Sequence, residues 1–351
     1  MNMSGPSRRR TPSLGPVQVA RPMIRTTLLF LVLALHALFV QGSPQDKPGT
    51  GAPTLLQPPV VSGDSLIVFV SDTQSPIFIE TLVIPSNRNA AARDLILAQI
   101  LRDNPNAVFH LGDMIAIGFF EATWRAMDGF LARARAAAVP VFPTLGNHEL
   151  MLFPSYGVEQ FFDRFPWYRN TGYVVRIGKL AVILLNSNFG QLSDRERAFQ
   201  LSWLDSTLAF MESDTTVAAV IMGCHHSPFT NSTIVSPSKM VEESFVPRFL
   251  RYAKCRLFLS GHCHAFEHFR RGGKDFLVIG GGGGLQQPLL TGSERRWEDL
   301  FPEETQKRMF HYIRCRIAAR GFDITVRMVK PDFSGFEDSY ALSLPFVLPP
   351  P

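Results

Sequence analysis

The 351-residue sequence has few cysteines and lacks several motifs that would assign it to a protein class. Its four cysteines are too few for a disulfide scaffold, and their pairing cannot be read from the sequence. Five consecutive glycines at residues 280–284 are not followed by the Lys and Ser or Thr of a nucleotide-binding phosphate loop. Because the His-x-His-x-Asp-His cluster is also absent, metallo-β-lactamases are a poor fit.

Acidic residues are absent from the first 42 positions, where the arginines account for the positive charge of the chain. The formal net charge is +5, and five arginines precede residue 43. The remainder of the chain is therefore close to neutral, and we expect no nucleic-acid partner.

These arginines flank an apolar run at residues 27–40, which is shorter than the roughly 20 residues of a membrane-spanning helix. Small and polar residues at 40–42 suit a signal peptidase. We predict a signal segment over residues 1–42, with Met23 as an alternative start, and export to a periplasm or the cell exterior. An uncleaved signal would instead act as a membrane anchor, and no other stable membrane partner is expected.

The remaining chain is predicted to form one folded domain between two irregular segments. Residues 43–62 are rich in Pro and Gly, which is typical of a linker. The domain is expected to span residues 63–344, followed by a disordered tail at residues 345–351.

Short apolar runs alternate with helical patterns along this domain. Runs typical of strands buried on both faces lie at residues 65–70, 107–111, 139–142, 217–222 and 256–260. Helical spacing of apolar residues lies at 89–103, 119–138, 193–212 and 242–253. We expect hairpin or antiparallel pairs at 173–186 and 309–329, and irregular core and loop packing in the aromatic stretch 151–170.

Polar clusters follow five of the apolar runs. These clusters are Ser71-Asp72-Thr73-Gln74, Gly112-Asp113, Gly146-Asn147-His148-Glu149, His225-His226-Ser227-Pro228 and Gly261-His262-Cys263-His264. Oxygen and imidazole donors at five strand ends predict one metal site assembled from distant parts of the sequence.

In this order, the five clusters resemble the pattern of the calcineurin-like metallophosphoesterases over about residues 65–285. That pattern reads Asp-x-His, Gly-Asp, Gly-Asn-His-Glu/Asp, a His before Pro, and Gly-His-x-His. The resemblance implies an α/β fold in which a two-sheet β-sandwich is flanked by helices in a single domain, the metallo-dependent phosphatase fold. The His-Ser-Pro cluster is similar to that of purple acid phosphatases, but Ala116 stands where those enzymes place a Tyr, so no iron-tyrosinate centre is expected.

The resemblance also implies two divalent or trivalent metal ions (Mn, Fe, Zn or Mg) and a phosphate ester substrate. Asp113 would bridge the two metals, and His148 would contact the phosphoryl group and protonate the leaving alkoxide. Glu149 would orient an imidazole. The implied ligands of the first metal are Asp72, Gln74 and His264, and those of the second are Asn147, His226 and His262.

Two positions depart from the family pattern. Most members have His at the position of Gln74, and an amide is a weaker ligand that favours a harder ion such as Mn or Mg. In the His doublet, counting back from Pro228 selects His226 as the ligand, whereas the family's His-His-Pro-Pro form would select His225. The spacing favours His226.

The sequence thus predicts an exported, metal-dependent hydrolase of phosphate mono- or diesters that uses hydroxide held by two metals. The alternative is a catalytically weak or inactive phosphate-binding or scaffold protein with the same fold. In that protein, Gln74 in place of His would have abolished binding of the first metal, and turnover would have been lost. Two other histidines, His110 and His268, are expected to be packing or surface residues rather than ligands.

Overall fold

The protein consists of two β-sheets with helices packed outside them. The computed structural model describes residues 55–56 and 65–347, so the predicted signal segment and most of the predicted linker lie outside the described residues. One sheet has seven strands and the other has six. The predicted two-sheet α/β fold is confirmed.

The seven-stranded sheet contains the hairpin and the later strands of the chain. Its strands, in spatial order, are β1 (Leu55–Leu56), β5 (Tyr173–Ile177), β6 (Leu180–Leu184), β7 (Ala219–Cys224), β8 (Cys255–Ser260), β10 (Lys274–Ile279) and β9 (Phe266–Arg271). β6, β7, β8 and β10 are parallel, whereas β5 and β9 run antiparallel to their neighbours β6 and β10.

The six-stranded sheet joins the first strands of the domain to the last ones. In spatial order they are β13 (Phe336–Pro345), β12 (Gly321–Val329), β11 (His311–Ile317), β2 (Ser65–Val70), β3 (Ala107–His110) and β4 (Val141–Pro143). β2, β3 and β4 are parallel, so their carboxyl ends meet at one edge of the sheet. The predicted antiparallel pairing of β11 with β12 is present.

Helices connect the parallel strands. They are α1 (Phe78–Thr81), α2 (Asn89–Arg102), α3 (Glu121–Ala136), α4 (Pro154–Arg164), α5 (Asp194–Ser213), α6 (Lys239–Ser244) and α7 (Val246–Arg251). A capping box begins α5: Ser193 Oγ accepts the N–H of Glu196, and the Glu196 carboxylate accepts the N–H of Ser193. None of the helices within residues 65–347 has the length and apolar composition needed to cross a bilayer.

Alternate residues of β6 belong to two different hydrophobic cores. Leu180, Val182 and Leu184 belong to the core that includes the inner faces of both sheets. Ala181 and Ile183, which alternate with them, belong to a second core beneath α5 and α7. Because successive strand residues point to opposite faces, a continuous apolar run buries this sheet on both sides.

The two sheets extend beyond both predicted domain boundaries. Leu55–Leu56 lies in the predicted linker yet forms β1, which extends the seven-stranded sheet by pairing with β5. Pro345 lies in the predicted tail yet ends β13, and the N–H of the buried Phe346 donates to the carbonyl of Arg320. Backbone hydrogen bonds to the sheet therefore order segments whose composition is typical of irregular chain.

Two helix predictions also need correction. The aromatic stretch contains α4, whose periodicity is interrupted by Gly157; a Cβ there would lie 1.9 Å from the carbonyl oxygen of Glu149. The single helix predicted at residues 242–253 is two helices, α6 and α7, with a break at Phe245. Pro247 in the first turn of α7 cannot donate the N–H that a continuous helix would need.

All four cysteines are buried free thiols. Cys224 Sγ donates to the carbonyl oxygen of His226, and Cys263 Sγ donates to the carboxylate of Glu267. Burial raises the pKa of both thiols above the usual value, which disfavours the thiolate form that binds metals. Both act as small buried side chains beside the histidine clusters.

We predict that Glu267 makes the protein less stable as the pH rises from 5 to 8. Its carboxylate is fully buried beside Thr230 and Asn231, and burial raises its pKa to about 7. Because the folded-state pKa exceeds the ordinary value, the folded protein retains a proton that the unfolded chain loses. Stability present at pH 5 is therefore lost as the pH passes through 7, by up to about 3 kcal/mol.

The measurement is the free energy of unfolding by denaturant at pH 5 and pH 8, for the wild type and for Glu267→Gln. The neutral amide resembles the protonated acid, so the variant should lose less stability over this range. Equal losses in the two proteins would contradict the assignment.

Candidate metal centre

Three of the predicted metal ligands have backbones in the left-handed region. Asp72, Asp113 and His262 have φ values of 59°, 54° and 66°. One or two residues separate each of them from the end of β2, β3 or β8, respectively. This conformation is unfavourable for residues other than Gly and persists only where surrounding contacts enforce it. Such strain at three strand ends that meet in one place marks a functional site.

The predicted ligands of the first metal lie together. Donor atoms of Asp72, Asp113 and His264 all lie within 4.8 Å of one another. His264 Nε2 lies 3.3 Å from Asp72 Oδ1, while its Nδ1 donates to the carbonyl oxygen of Leu285 at 2.8 Å. This second contact leaves Nε2 as the nitrogen available for a metal.

Gln74 also faces this group. When its amide nitrogen donates to the carbonyl oxygens of Asp113 and Asp72, both at 3.1 Å, its oxygen lies 3.1 Å from His264 Nε2. The two carbonyl contacts thus hold the amide oxygen, the better ligand atom, towards the other donors. Whether it binds a metal stays a prediction.

The second group contains three imidazoles. Donor atoms of His225, His226 and His262 lie within 4.8 Å of one another. Asn147 Oδ1 lies 3.0 Å from His225 Nε2, which adds an amide oxygen. The structure therefore brings the predicted ligands Asn147, His226 and His262 to one place.

Both histidines of the doublet reach the site, but their contacts differ. His225 Nδ1 faces the Leu111 carbonyl at 2.9 Å, so Nε2 is directed towards Asn147 Oδ1 and lies 3.2 Å from Asp113 Oδ2. His226 Nδ1 instead contacts Ser187 Oγ at 2.9 Å. This geometry gives His225 the closer contacts with the other oxygen donors, although the spacing argument favoured His226.

The Asp113 carboxylate lies between the two groups. Its Oδ1 accepts the N–H of His148 at 2.8 Å, and its Oδ2 faces His225. Burial alone would raise its pKa, but the His225 and His148 imidazoles outweigh burial and hold the pKa below its usual range. In turn, the Asp113 carboxylate overcomes the effect of burial on His225 and raises the pKa of that imidazole to about 9.

The prediction that Glu149 orients an imidazole was wrong. Its buried carboxylate accepts three backbone N–H groups, from Asp113 at 2.9 Å, Met114 at 2.6 Å and Gly146 at 2.7 Å. Glu149 therefore fixes the turn that presents Asp113 rather than a ring. Burial and the neighbouring Asp113 charge raise its pKa to about 7.

His148 lies beside these groups with one nitrogen directed at the site. Its Nδ1 contacts the Ala116 carbonyl at 2.7 Å, and its Nε2 lies 3.9 Å from Asp113 Oδ2 and 3.6 Å from the carboxylate of Glu80. Burial lowers its pKa, but the two carboxylates together raise it above the ordinary value. A protonated Nε2 in this position is suited to donating a proton.

The five-glycine run packs directly against the ligands. The N–H groups of Gly282 and Gly284 donate to the carbonyl oxygens of Ser71 and Asp72, both at 2.9 Å. A Cβ at Gly284 would lie 2.5 Å from the ring of His264. Glycine is needed in this run because side chains there would collide with the ligands and their backbone.

The residues present fit metal ions. Donors bound to one ion at about 2.0–2.6 Å are separated by at most about 5 Å, as in both groups here. Within residues 65–347, the only basic side chains within 4.0 Å of the Asp72 and Asp113 carboxylates are histidines. Two buried carboxylates without Lys or Arg require compensation that cations would provide.

A comparison with protein families assigns this centre to a known class. The family model for calcineurin-like phosphoesterase matches residues 65–266, which is more than half of the chain. The chain belongs to the calcineurin-like phosphoesterase family. The resemblance inferred from the five clusters is confirmed, and the family is metal-dependent.

Purple acid phosphatases are among the relatives. Probable purple acid phosphatase 20 of Arabidopsis thaliana is 27% identical over 217 residues, which cover 55% of this chain and 47% of that protein. The chain thus spans about half the length of this curated relative.

Solved structures share the fold at low sequence identity. A purple acid phosphatase from yellow lupin seeds has a TM-score of 0.61 at 16% identity, over 81% of this chain and 54% of that chain. The Plasmodium protein GAP50, the anchor in the inner membrane complex, has a TM-score of 0.58 at 13% identity, over 81% and 90%. A dimetal phosphatase from Danio rerio has a TM-score of 0.52 at 17% identity, over 80% and 99%.

Three other polar residues of the described chain lie outside the two donor groups. His110 contacts Thr73 Oγ1 and His268 contacts Asp275, so neither belongs to the two donor groups. Sequence analysis did not identify Glu80, the residue that faces His148. Its position in α1, six residues after Gln74, was the only sequence signal for it.

We predict that Gly284→Ala weakens metal binding. The added methyl group would displace the His264 ring, so affinity for the first metal should fall roughly tenfold or more, as for lost supporting contacts elsewhere. Metal affinity is measured by calorimetry on the demetallated protein. Gly190→Ala is the matched control because a Cβ there meets nothing within 4 Å. Equal affinities in the two variants would contradict the role of Gly284.

Proposed function

We propose that the chain hydrolyses phosphate mono- or diesters with two metal ions. The observation that carries this proposal is the Asp113 carboxylate, which lies between a group containing Asp72 and His264 and a group of three histidines. A shared carboxylate between two donor groups is the arrangement that a two-metal centre requires.

The proposed ligand sets follow the geometry. The first metal would be held by Asp72, Gln74, Asp113 and His264, and the second by Asp113, Asn147, His262 and one histidine of the doublet. We propose His225 as that ligand because its Nε2 faces the Asn147 and Asp113 oxygens. His226 remains the alternative from spacing. Two such ions would neutralise the phosphate oxygens and supply an activated water.

The proposed role of the protein beyond the metals is orientation and proton transfer. His148 would contact a phosphoryl oxygen and donate its Nε2 proton to the leaving alkoxide, since its other nitrogen is engaged by Ala116. Glu149 would hold the Asp113 turn in place through three N–H groups. The glycine run would hold Asp72 in place through hydrogen bonds to the carbonyl oxygens of Ser71 and Asp72.

Turnover by residues 43–351 loaded with Mn, Fe, Zn or Mg tests this proposal. Paired chromogenic phosphate monoester and diester substrates would establish the ester class. We expect Asp113→Asn to lower kcat/KM at least about a hundredfold, because the shared ligand is lost. Asp163→Asn, which removes an exposed carboxylate on α4, is the control and should match the wild type.

Metal content separates this function from its alternative. A folded protein that binds one ion or none and shows no turnover with any of these metals would contradict the proposal. That result would favour the alternative hypothesis of a phosphate-binding or scaffold protein. Two bound ions per chain in the wild type, reduced in Asp113→Asn, would support it.

We also propose that the protein is exported, on the basis of the apolar run and the arginines before residue 43. The expected mature chain begins at residue 43. N-terminal sequencing of the protein from the periplasm or medium of an expressing cell checks this. A cell-associated protein that retains residues 27–40 would point to the membrane-anchored alternative.

A further inference from the structure

The side of the site beyond His148 contains a carboxylate that the metal chemistry does not use. Glu80 lies in α1, and its Oε2 accepts the N–H of Ile77 at 2.9 Å, which fixes the side chain. Its Oε1 lies 3.6 Å from His148 Nε2. Because Nε2 is the nitrogen that would meet the leaving group, Glu80 lies where the leaving group would emerge.

Within residues 65–347, His148 is the only basic side chain within 4.0 Å of the Glu80 carboxylate. Arg93, which donates to Ser75 Oγ in the same loop region, is paired with Asp94. Among these residues, no Lys or Arg therefore neutralises the Glu80 carboxylate.

The segment that contacts the backbone of His148 carries aromatic side chains. The N–H of Gly118 donates to the carbonyl of His148 at 2.9 Å, which holds the following Phe119 near it. Phe119 packs edge-on against Phe153, with ring centroids 4.8 Å apart, and Phe153 packs edge-on against Tyr156. Phe153 and Tyr156 are 49% and 61% exposed, so their ring surfaces are accessible.

We propose that this side of the site takes a leaving group that carries a positive charge, and that Glu80 is the residue that selects it. This inference rests on the proposed phosphoesterase function. The phosphate would be held at the metal centre, while an ammonium group on the leaving alcohol would meet the Glu80 carboxylate and the exposed aromatic faces, which attract cations. A negatively charged leaving group would be repelled.

The test compares three phosphate monoesters that differ in leaving-group charge: phosphocholine, glycerol 3-phosphate and 3-phosphoglycerate. We expect kcat/KM of the metal-loaded wild type to fall in that order. Glu80→Gln keeps an oxygen to accept the Ile77 N–H and should lower the ratio of phosphocholine to 3-phosphoglycerate about tenfold, which corresponds to about 1.4 kcal/mol.

Glu243→Gln is the matched control, since it removes an exposed carboxylate on α6 that is paired with Lys239. Its ratio should equal that of the wild type. An unchanged ratio in Glu80→Gln, or an equal fall in both variants, would overturn the inference while leaving the phosphoesterase proposal standing.

A binding measurement keeps the two proposals separate. Calorimetry of phosphocholine and 3-phosphoglycerate with the metal-loaded protein reports charge selection without turnover. If no ester is hydrolysed, the proposed function fails. The inference on Glu80 then stands only if phosphocholine binds more tightly than 3-phosphoglycerate and Glu80→Gln removes that difference.

Discussion

The burial of two aspartate carboxylates among imidazoles is the constraint on which the site depends. Asp72 and Asp113 are shielded from water, and no Lys or Arg within residues 65–347 lies within 4.0 Å of either carboxylate. Such charges are costly to bury unless they are compensated. The left-handed backbones and the close glycine contacts are arranged around this one electrostatic requirement.

Much of the fold could be predicted because the strands are buried on both faces. Continuous apolar runs such as that of β2 give a signal that does not depend on distant contacts, and the polar clusters stand directly after those runs. What the sequence did not show was structure set by tertiary contact. The edge strands β9 and β13 lack such a run, and α4 contains a glycine required by its neighbour Glu149 rather than by the helix.

In the candidate site, too, some features could be predicted from the sequence and others depended on tertiary contacts. Residue types and their order identified the donors, since each follows a strand end, and the structure brings them together. Side-chain direction could not be read from spacing: His225 and His226 are adjacent, and only the contacts with Leu111 and Ser187 distinguish them. Glu149 and Glu80 were misjudged or missed because their partners are backbone groups or distant residues.

Each sheet contributes one part of the donor set, and this has a consequence for folding. Gln74 and His264 meet across a separation of 190 residues. An ion held by both would close a very long loop, which an unfolded chain would hold only at a large entropic cost. Such a metal would therefore be coordinated only after both sheets have assembled. Its retention by the protein would then indicate that both sheets are intact.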